Sequence, residues 1–328
     1  MSRLRLLVML VWCAAPAALM AAAADTAVYP SRPVRMIVPF VPGGSVDFVA
    51  RILQPRFSEA LGQQVVIDNR AGASGNIAVE LTANSPADGH TILLGNVGAA
   101  AINPSVFPKF PVRAGRDLQA VTLIVDVPGA LGVHAGVPVA TLKEFIDYAK
   151  ARPGQLNYGS SAAGSAQSLA MEYFMGKAGI KLVSIPYKGG AGAATLAVLA
   201  GEVTATMLTT ASFVPHLRGG KVKVLAVISP KRVSQLPEVP TMIEHGYPEL
   251  RLGSWIGVFV AKQTPAPIVK RIYETTVKIV NDPWAVERLG GGGALVVTNN
   301  SPEEFAQFMR VQSEFWAKLV KQAGVAAE

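Results

Sequence analysis

Short runs rich in β-branched residues alternate with longer segments whose apolar residues recur at helical spacing. The predicted strands are Val34–Val38, Val65–Ile67, Thr91–Leu94, Leu156–Tyr158, Leu182–Ile185 and Val203–Met207. The predicted helices between and after them include Asp47–Leu61, Gly75–Asn84, Ser165–Gly179 and Ala191–Ala200. A repeated order of strand and helix is typical of a parallel sheet covered by helices, so the sequence predicts an α/β fold.

The C-terminal part of the chain repeats this alternation. A short strand over Ala294–Val297 lies between helices predicted over Pro267–Val280 and from Ser301 to about Gln322. Two apolar runs, Ala120–Val125 and Trp255–Val260, are each followed by a proline or a polar turn. We interpret these two runs as strands that cross between domains and form a hinge.

Two crossings would divide the chain into a discontinuous first domain and a continuous second domain. The prediction assigns residues 25–124 and 255–328 to domain 1 and residues 125–254 to domain 2. Such a pair of α/β domains closes about its hinge like a clamshell. Two consecutive domains, split once near Pro128, are the alternative that the pattern leaves open.

The first 24 residues have the three parts of a secretory signal peptide. Arg3 and Arg5 begin the segment, Leu6–Leu19 is apolar and uncharged, and small residues at 21–24 close it. The apolar run is shorter than the ~20 residues of a membrane span and ends in alanines rather than in basic residues. We therefore predict cleavage near Ala24, export to the periplasm and a mature protein without a membrane anchor.

Composition narrows the possible function classes. The chain is 50% hydrophobic and 16% charged, which excludes an intrinsically disordered protein. Its single cysteine, Cys13, lies within the predicted signal peptide, so the mature chain offers no disulfide, thiol nucleophile or cysteine-bound zinc. The formal charge of +8 falls to +6 once Arg3 and Arg5 are removed. Because the remaining basic residues are scattered, they indicate a solvated surface rather than a nucleic-acid-binding face.

Loops rich in glycine and hydroxyl side chains follow the predicted strands. These loops are Pro39–Asp47, Arg70–Asn76, Gly95–Gly98, Gly159–Ser165, Tyr187–Gly190 and Thr209–Thr210. Each begins where a strand ends, which is the sheet edge that binds ligands in open α/β folds. Loop N–H groups and helix N-termini favour an anion such as a carboxylate or phosphate. An ordinary βα turn is the alternative for each loop, and Asp47 is placed either to cap its helix or to contact a ligand.

No catalytic motif accompanies these loops. Gly159–Ser165 lacks the Gly-Lys-Ser/Thr ending of a phosphate-binding loop, and the sequence contains neither G-x-S-x-G nor G-x-G-x-x-G. The four histidines, which lie far apart in the sequence, are His90, His134, His216 and His245. The Gly/Ser loop nevertheless leaves one enzymatic alternative open, an exported acyl or phosphoryl transferase that uses Ser160 or Ser161 as its nucleophile.

The loop sequences resemble those of a known receptor family. The resemblance rests on Tyr29–Pro33, Val38–Gly44, Asp47, Ala50–Arg51, Asn69–Gly75 and Pro186–Gly190. These motifs are similar to those of the Bug/TctC family, periplasmic solute-binding receptors of tripartite tricarboxylate transporters. The resemblance implies a two-domain periplasmic binding protein of the type II-like, Venus-flytrap kind. It also implies a binding protein rather than an enzyme, which closes on a small organic acid and uses neither a metal nor a cofactor.

Taken over motif by motif, the resemblance assigns ligand-binding residues to both domains. Domain 1 would supply Phe40, Pro42, Gly43, Gly44, Asp47, Gly72, Ser74, Gly75, Asn76 and Asn96. Domain 2 would supply Ser160, Ser161, Gly164, Ser165 and Tyr187, and Thr209 joins them at the end of a neighbouring strand. Because no clear cationic clamp accompanies these residues, we expect a mono- or dicarboxylate rather than a tricarboxylate.

Domain 2 departs from the family pattern at positions that would contact the distal half of a ligand. Ala162 and Ala163 replace a Gly-Asn pair, and Ser168 stands at the position of a histidine. Gly192 and the apolar segment around Leu196 replace a proline and an aspartate. The expected partners are the small acid and either integral-membrane transporter subunits or a sensor. Nucleic acid is not an expected partner, and we expect a monomer.

Overall fold

The computed structural model describes residues 29–160, 165–187, 190–250 and 253–323 of the chain. The described strands are Val34–Val38 (β1), Val65–Asn69 (β2), Thr91–Asn96 (β3), Leu118–Val127 (β4), Gly129–His134 (β5), Asn157–Ser160 (β6), Val183–Pro186 (β7), Ala205–Thr209 (β8), Val222–Ile228 (β9), Ser254–Ala261 (β10) and Leu295–Val296 (β11). The predicted signal peptide, residues 1–24, lies outside the described residues.

Helices connect most of these strands. The described α-helices are Ser45–Leu61 (α1), Asn76–Ala83 (α2), Asn103–Val106 (α3), Ala114–Asp117 (α4), Leu142–Lys150 (α5), Ala166–Ala178 (α6), Gly190–Ala200 (α7), Thr210–Phe213 (α8), Ala266–Val280 (α9), Pro283–Gly291 (α10) and Pro302–Ala323 (α11). Shorter helical turns of 3₁₀ or π type are Ala73–Gly75, Gly98–Ile102 and Val214–Gly219. None of the helices in the described ranges combines the length and the hydropathy that crossing a membrane requires.

The strands form two mixed sheets. The larger sheet has the order β11-β4-β10-β3-β1-β2, and the smaller has the order β7-β6-β8-β5-β9. Strands β1, β2 and β3 are parallel, as are β6, β7 and β8, while β10 and β5 run antiparallel to their neighbours. The predicted α/β class is confirmed. We call the larger sheet with its helices lobe 1 and the smaller sheet with its helices lobe 2.

The helices pack their apolar faces against the two sheets. In α1, the buried side chains of Val46, Val49, Leu53 and Phe57 recur at helical spacing and pack on lobe 1. Helix α11 covers the opposite face of the same sheet. The N-terminal turn of α6 joins the core beneath α11, although the rest of α6 packs on lobe 2, so this helix links the two lobes.

The two predicted crossing strands are β4 and β10, which pair antiparallel within lobe 1. The chain passes to lobe 2 at Pro128, directly after β4, and has returned to lobe 1 at β10, directly after Gly253. Both passages therefore lie at the same edge of the larger sheet. At that edge, a Cβ on Gly253 would collide with the Val127 carbonyl oxygen, so the passages lie in direct contact.

Replacing Gly253 by alanine should destabilise the protein, because the added methyl group must displace the backbone of the other passage. We expect a loss of about 1–3 kcal/mol in the free energy of unfolding. Gly176→Ala is the matched control, since Gly176 lies within α6 and its Cβ would meet open space. That change should stabilise by roughly 0.5–1 kcal/mol. Denaturant unfolding measures the free energy of unfolding of both variants. An equal change in the two variants would contradict the close contact between Gly253 and Val127.

Candidate functional site

The loops that follow β1, β2 and β3 lie at one edge of lobe 1, and the loops that follow β6, β7 and β8 lie at one edge of lobe 2. The register fixes this arrangement, because Val127 at the end of β4 pairs with Ser254 at the start of β10. Gly129 at the start of β5 pairs with Thr209 at the end of β8. The single residue between Val127 and Gly129 therefore joins the two loop-bearing edges, and we call the region where these edges meet the cleft.

Asp47 fastens the first loop of lobe 1. The sequence analysis placed this residue as a possible helix cap, but the N-cap position of α1 belongs to Gly44, which has extended backbone angles and no side chain to cap with. Asp47 instead lies in the first turn and reaches back to the Gly43 N–H at 2.9 Å. Its carboxylate also accepts hydrogen bonds from Arg51 Nε at 2.7 Å and Asn69 Nδ2 at 3.0 Å.

These contacts keep Asp47 ionised and leave other loop donors available. Burial by itself raises the pKa of Asp47, but the hydrogen bonds from Arg51, Gly43 and Asn69 outweigh burial and lower that pKa below its usual value. The first intrahelical bond of α1 runs from the Phe48 N–H to the Gly44 carbonyl, so the N–H groups of 45–47 have no partner within the helix.

The second loop adopts a left-handed backbone through four successive residues. Gly72, Ala73, Ser74 and Gly75 all have positive φ angles, and Gly75 at +98° leads directly into α2. A side chain at Gly75 would collide with Ala99, so the chain passes too close to its neighbour for any residue but glycine. The loop is thereby held against lobe 1 with the N-terminus of α2 at the cleft edge.

Asn103 supports this loop, although the sequence analysis did not single it out. Its Nδ2 donates to the Ser74 carbonyl and to Asn76 Oδ1, both at 2.9 Å. Asn76 is 3% exposed, and its own Nδ2 has no hydrogen-bond partner within the described ranges. The first residue of α2 thus presents a buried N–H donor, which is oriented by the hydrogen bond that its oxygen accepts from Asn103.

Asn96 and Thr209 occupy the ends of their strands as expected, but each already has a local partner. Asn96 Oδ1 accepts the Ala99 N–H at 3.0 Å and so starts the helical turn after β3. The Thr209 hydroxyl lies 3.1 Å from the Ser212 hydroxyl. Phe40 contributes its carbonyl to the Asn69 amide at 3.0 Å. These contacts give the three residues a structural role at the cleft edge.

Three serine hydroxyls meet where β6 leads into α6. Ser160 Oγ lies 2.7 Å from Ser168 Oγ, and Ser165 Oγ donates to Ser168 Oγ at 2.9 Å. Ser165 is the N-cap of α6 and accepts the Ser168 N–H. The predicted site residues Ser161 and Gly164 lie outside the described residues. Ser160, Ser165 and Ser168 form a hydroxyl cluster at the helix N-terminus on the lobe 2 side.

The hydroxyl of Tyr187 is not brought to the other predicted site residues. It lies 3.4 Å from Glu202 Oε2, beyond the C-terminal end of α7, whereas the cleft faces the helix's N-terminal end. Burial and the Glu202 carboxylate together raise the pKa of Tyr187. The Glu202 carboxylate accepts the hydroxyl of this half-buried phenol and so holds it near the C-terminal end of α7.

The arginines near the lobe 1 loops already have counter-ions within the protein. Arg51 pairs with Asp47 at 2.7 Å, while Arg35 and Arg70 both pair with Asp68. Burial raises the pKa of Asp68, yet the two guanidinium groups lower it further than burial raises it. No three histidine or acidic side chains of the described ranges come together as metal ligands would.

The glycine-rich loops and the two α/β lobes agree with one family of proteins. The model of the tripartite tricarboxylate transporter family receptor, TctC, matches residues 49–325. Protein BugT of Bordetella pertussis is 37% identical over 302 residues, which cover 92% of this chain and 91% of BugT. The chain belongs to the TctC receptor family. This family consists of periplasmic solute-binding receptors and not of enzymes, so the transferase that the Gly/Ser loop left open is excluded.

Solved TctC-type structures share the fold over nearly their whole length. Rpa4515 of R. palustris, solved with adipate, is 34% identical with a TM-score of 0.78, and the match covers 91% of this chain and 99% of that protein. MatC of Rhodopseudomonas palustris, solved with bound malate, is 30% identical with a TM-score of 0.73 and coverage of 89% and 100%. The periplasmic binding fold predicted from the sequence is therefore confirmed.

Replacing Asp47 by asparagine should loosen the first loop, because three donors lose their charged acceptor. We expect the free energy of unfolding to fall by about 1–3 kcal/mol at neutral pH. The wild-type advantage should disappear as the pH falls through the lowered pKa of Asp47, because protonation then removes the charge there too. Thermal unfolding across this range measures the effect.

The matched control for this prediction is Asp147→Asn, which removes an exposed carboxylate paired with Lys143 on α5. An exposed ion pair adds little to stability, so the melting temperature of this variant should stay close to that of the wild type. Equal losses in the two variants would contradict the role given to Asp47.

Proposed function

We propose that this receptor captures a small mono- or dicarboxylate in the cleft between its lobes and delivers it to a tripartite tricarboxylate-type transporter or a sensor. The observation that carries the proposal is the buried Asn76 amide, whose Nδ2 has no partner within the described ranges and stands at the N-terminus of α2. A buried N–H without an acceptor costs roughly 1–3 kcal/mol, which a ligand carboxylate recovers when it accepts the hydrogen bond.

The charge that balances the ligand comes from helix ends in this proposal. Helices α1 and α2 start at the lobe 1 edge and α6 starts at the lobe 2 edge, and each N-terminus acts as about half a positive charge. The nearby arginines Arg51, Arg35 and Arg70 are already neutralised by internal carboxylates. A few half-charges suit one or two carboxylates better than three, which favours a mono- or dicarboxylate over a tricarboxylate.

Closure of the lobes follows from the division of donors between them. A carboxylate that is bound only by lobe 1 leaves the α6 N-terminus and the serine cluster of lobe 2 unused. Binding to both sets of donors is possible only when the cleft narrows, so the ligand shifts the population toward the closed form. We propose that lobe 1 and lobe 2 are the two domains predicted as residues 25–124 with 255–328 and residues 125–254, with the boundaries moved to Pro128 and Gly253, because β4 ends at Val127 and β10 begins at Ser254.

Two further parts of the proposal concern ligand class and export. The neighbours solved with adipate and malate hold dicarboxylates, which supports an acid of that class here.

We also propose that residues 1–24 are a cleaved signal peptide. Intact mass of the protein recovered from the periplasm tests this cleavage, and a mass that includes Met1–Ala24 would contradict it.

A thermal-shift and calorimetric screen tests the ligand class. Acetate and benzoate, adipate and malate, and citrate are titrated against the mature protein under identical buffer conditions. At least one mono- or dicarboxylate should raise the melting temperature, by an amount that corresponds to about 2.7 kcal/mol at a hundredfold excess over Kd. Binding of citrate alone, or no response to any acid, would contradict the proposal.

Asn76→Asp tests the role of the buried amide. The substitution replaces the donor Nδ2 by an acceptor oxygen while Asn103 can still donate to the other oxygen. The buried carboxylate costs stability, which its favourable place in the first turn of a helix offsets in part, so the variant should fold with a lower melting temperature than the wild type. Affinity for the acid found in the screen should fall at least about tenfold, which corresponds to about 1.4 kcal/mol.

The matched control is Asn281→Asp, which makes the same change at an exposed position after α9. This variant should bind the acid with the wild-type Kd, since Asn281 lies outside the cleft loops. Unchanged affinity in Asn76→Asp, with both variants folded, would contradict the assignment of Asn76.

A further inference from the structure

The two passages of the chain between the lobes meet at one point. Pro128 forms the first passage, between Val127 and Gly129, and the second passage ends at Gly253. A Cβ on Gly253 would fall on the Val127 carbonyl oxygen and within 2.8 Å of the Gly129 nitrogen. Any rotation of one lobe relative to the other must act on this contact.

The Asp126 side chain links the two passages by a hydrogen bond. Its Oδ1 accepts a hydrogen bond of 2.9 Å from the Gly253 N–H, while its Oδ2 has no hydrogen-bond partner within the described ranges. The residue has 0% exposed surface, and Trp255 and Leu295 stand opposite it in the two neighbouring strands. A carboxylate held there would be a buried charge with a single hydrogen bond, which is much less favourable than the neutral acid.

We propose that Asp126 is a proton-dependent positioning residue of the hinge. As a neutral acid, its carboxyl holds Gly253 against β4 in the apolar surroundings of Trp255 and Leu295, which we call the seam. Once the proton leaves, the carboxylate requires further donors, which water or displaced N–H groups supply only if the seam opens. The lobes are held together most firmly at acidic pH and loosen as the pH rises through neutrality. Any effect on ligand affinity rests on the proposed function, because separation of the lobes weakens the binding of an anion that both lobes hold.

The charge state of Asp126 depends on burial rather than on an ion pair. Burial raises its pKa to about 7, and the Gly253 N–H opposes this shift only in part. Among the described residues no charged side chain contributes to the shift. On α11, the side chains that line the same small cavity as Gly253 are the uncharged Gln312, Phe315 and Trp316, and Gln312 accepts the Trp255 indole N–H. Glu249, which also lines that cavity, has a pKa lowered by its own backbone N–H and by Tyr173.

The test compares the wild type with Asp126→Asn in the absence of ligand. Asparagine keeps the size of the side chain and the oxygen that accepts the Gly253 N–H, but it cannot ionise. Small-angle scattering gives the radius of gyration, and thermal unfolding gives Tm, at about pH 5 and about pH 9. The wild type should expand and lose Tm as the pH rises, because its folded state binds the proton more tightly than its unfolded state. Asp126→Asn should show neither change, and its Tm should exceed that of the wild type only at the higher pH.

The control variant is Asp147→Asn, which should follow the wild type at both pH values because Asp147 is exposed on α5. Carbon-13 NMR of labelled aspartate side chains tests the inference without any variant, and one carboxyl should titrate near neutrality. The proposal is overturned if every aspartate titrates below about pH 5, or if Asp126→Asn retains the wild-type dependence of size on pH. The scattering, unfolding and NMR measurements all use the ligand-free protein. Their outcome is therefore independent of whether the ligand screen finds an acid that binds.

Discussion

In the proposed binding mode, the negative charge of a ligand must be balanced in a cleft whose nearest arginines are already neutralised. Asp47 and Asp68 bind the guanidinium groups nearest the lobe 1 loops, and in doing so they hold those loops in place. In the proposed binding mode, positive potential at the cleft edge comes from the aligned peptide groups of α1, α2 and α6. We propose that such a site recognises the carboxylate group without demanding three charges and that lobe 2 selects the rest of the ligand.

In the proposed binding mode the donors are divided between two lobes, so the hinge affects ligand binding. The lobes are joined at Pro128 and at the segment that ends in Gly253, and the close contact between these passages leaves no room for a side chain on Gly253. A hinge this tightly packed converts a small local change into a rotation of the whole lobe. A buried carboxyl at this point, Asp126, therefore has consequences far from its own contacts.

The sequence predicted the strands and helices well because each lobe follows a simple alternation. Strand β1 was predicted with its observed bounds, whereas β5 was missed because Gly129 and Gly132 weaken its strand pattern. In the site, the glycine loops were foreseen from composition. The contacts of Asn103 and the turn of Tyr187 toward Glu202 were not, because each depends on a partner distant in sequence that only the fold brings close. For Asp47, the sequence indicated the loop in which it lies, but only the structure showed that its carboxylate accepts the Gly43 N–H.

The most direct measurement is an amide NMR titration of the mature protein with the acid identified by the screen. We predict that the backbone N–H resonances of Gly44 and Ser45, the side-chain amide resonances of Asn76 on lobe 1, and the backbone N–H resonance of Gln167 in the first turn of α6 on lobe 2 move downfield together, with one common Kd. Such shifts report hydrogen bonds from N–H donors on both lobes to a single anion. Saturable binding that leaves these amides unmoved, or that moves only lysine and arginine side chains, would contradict the account.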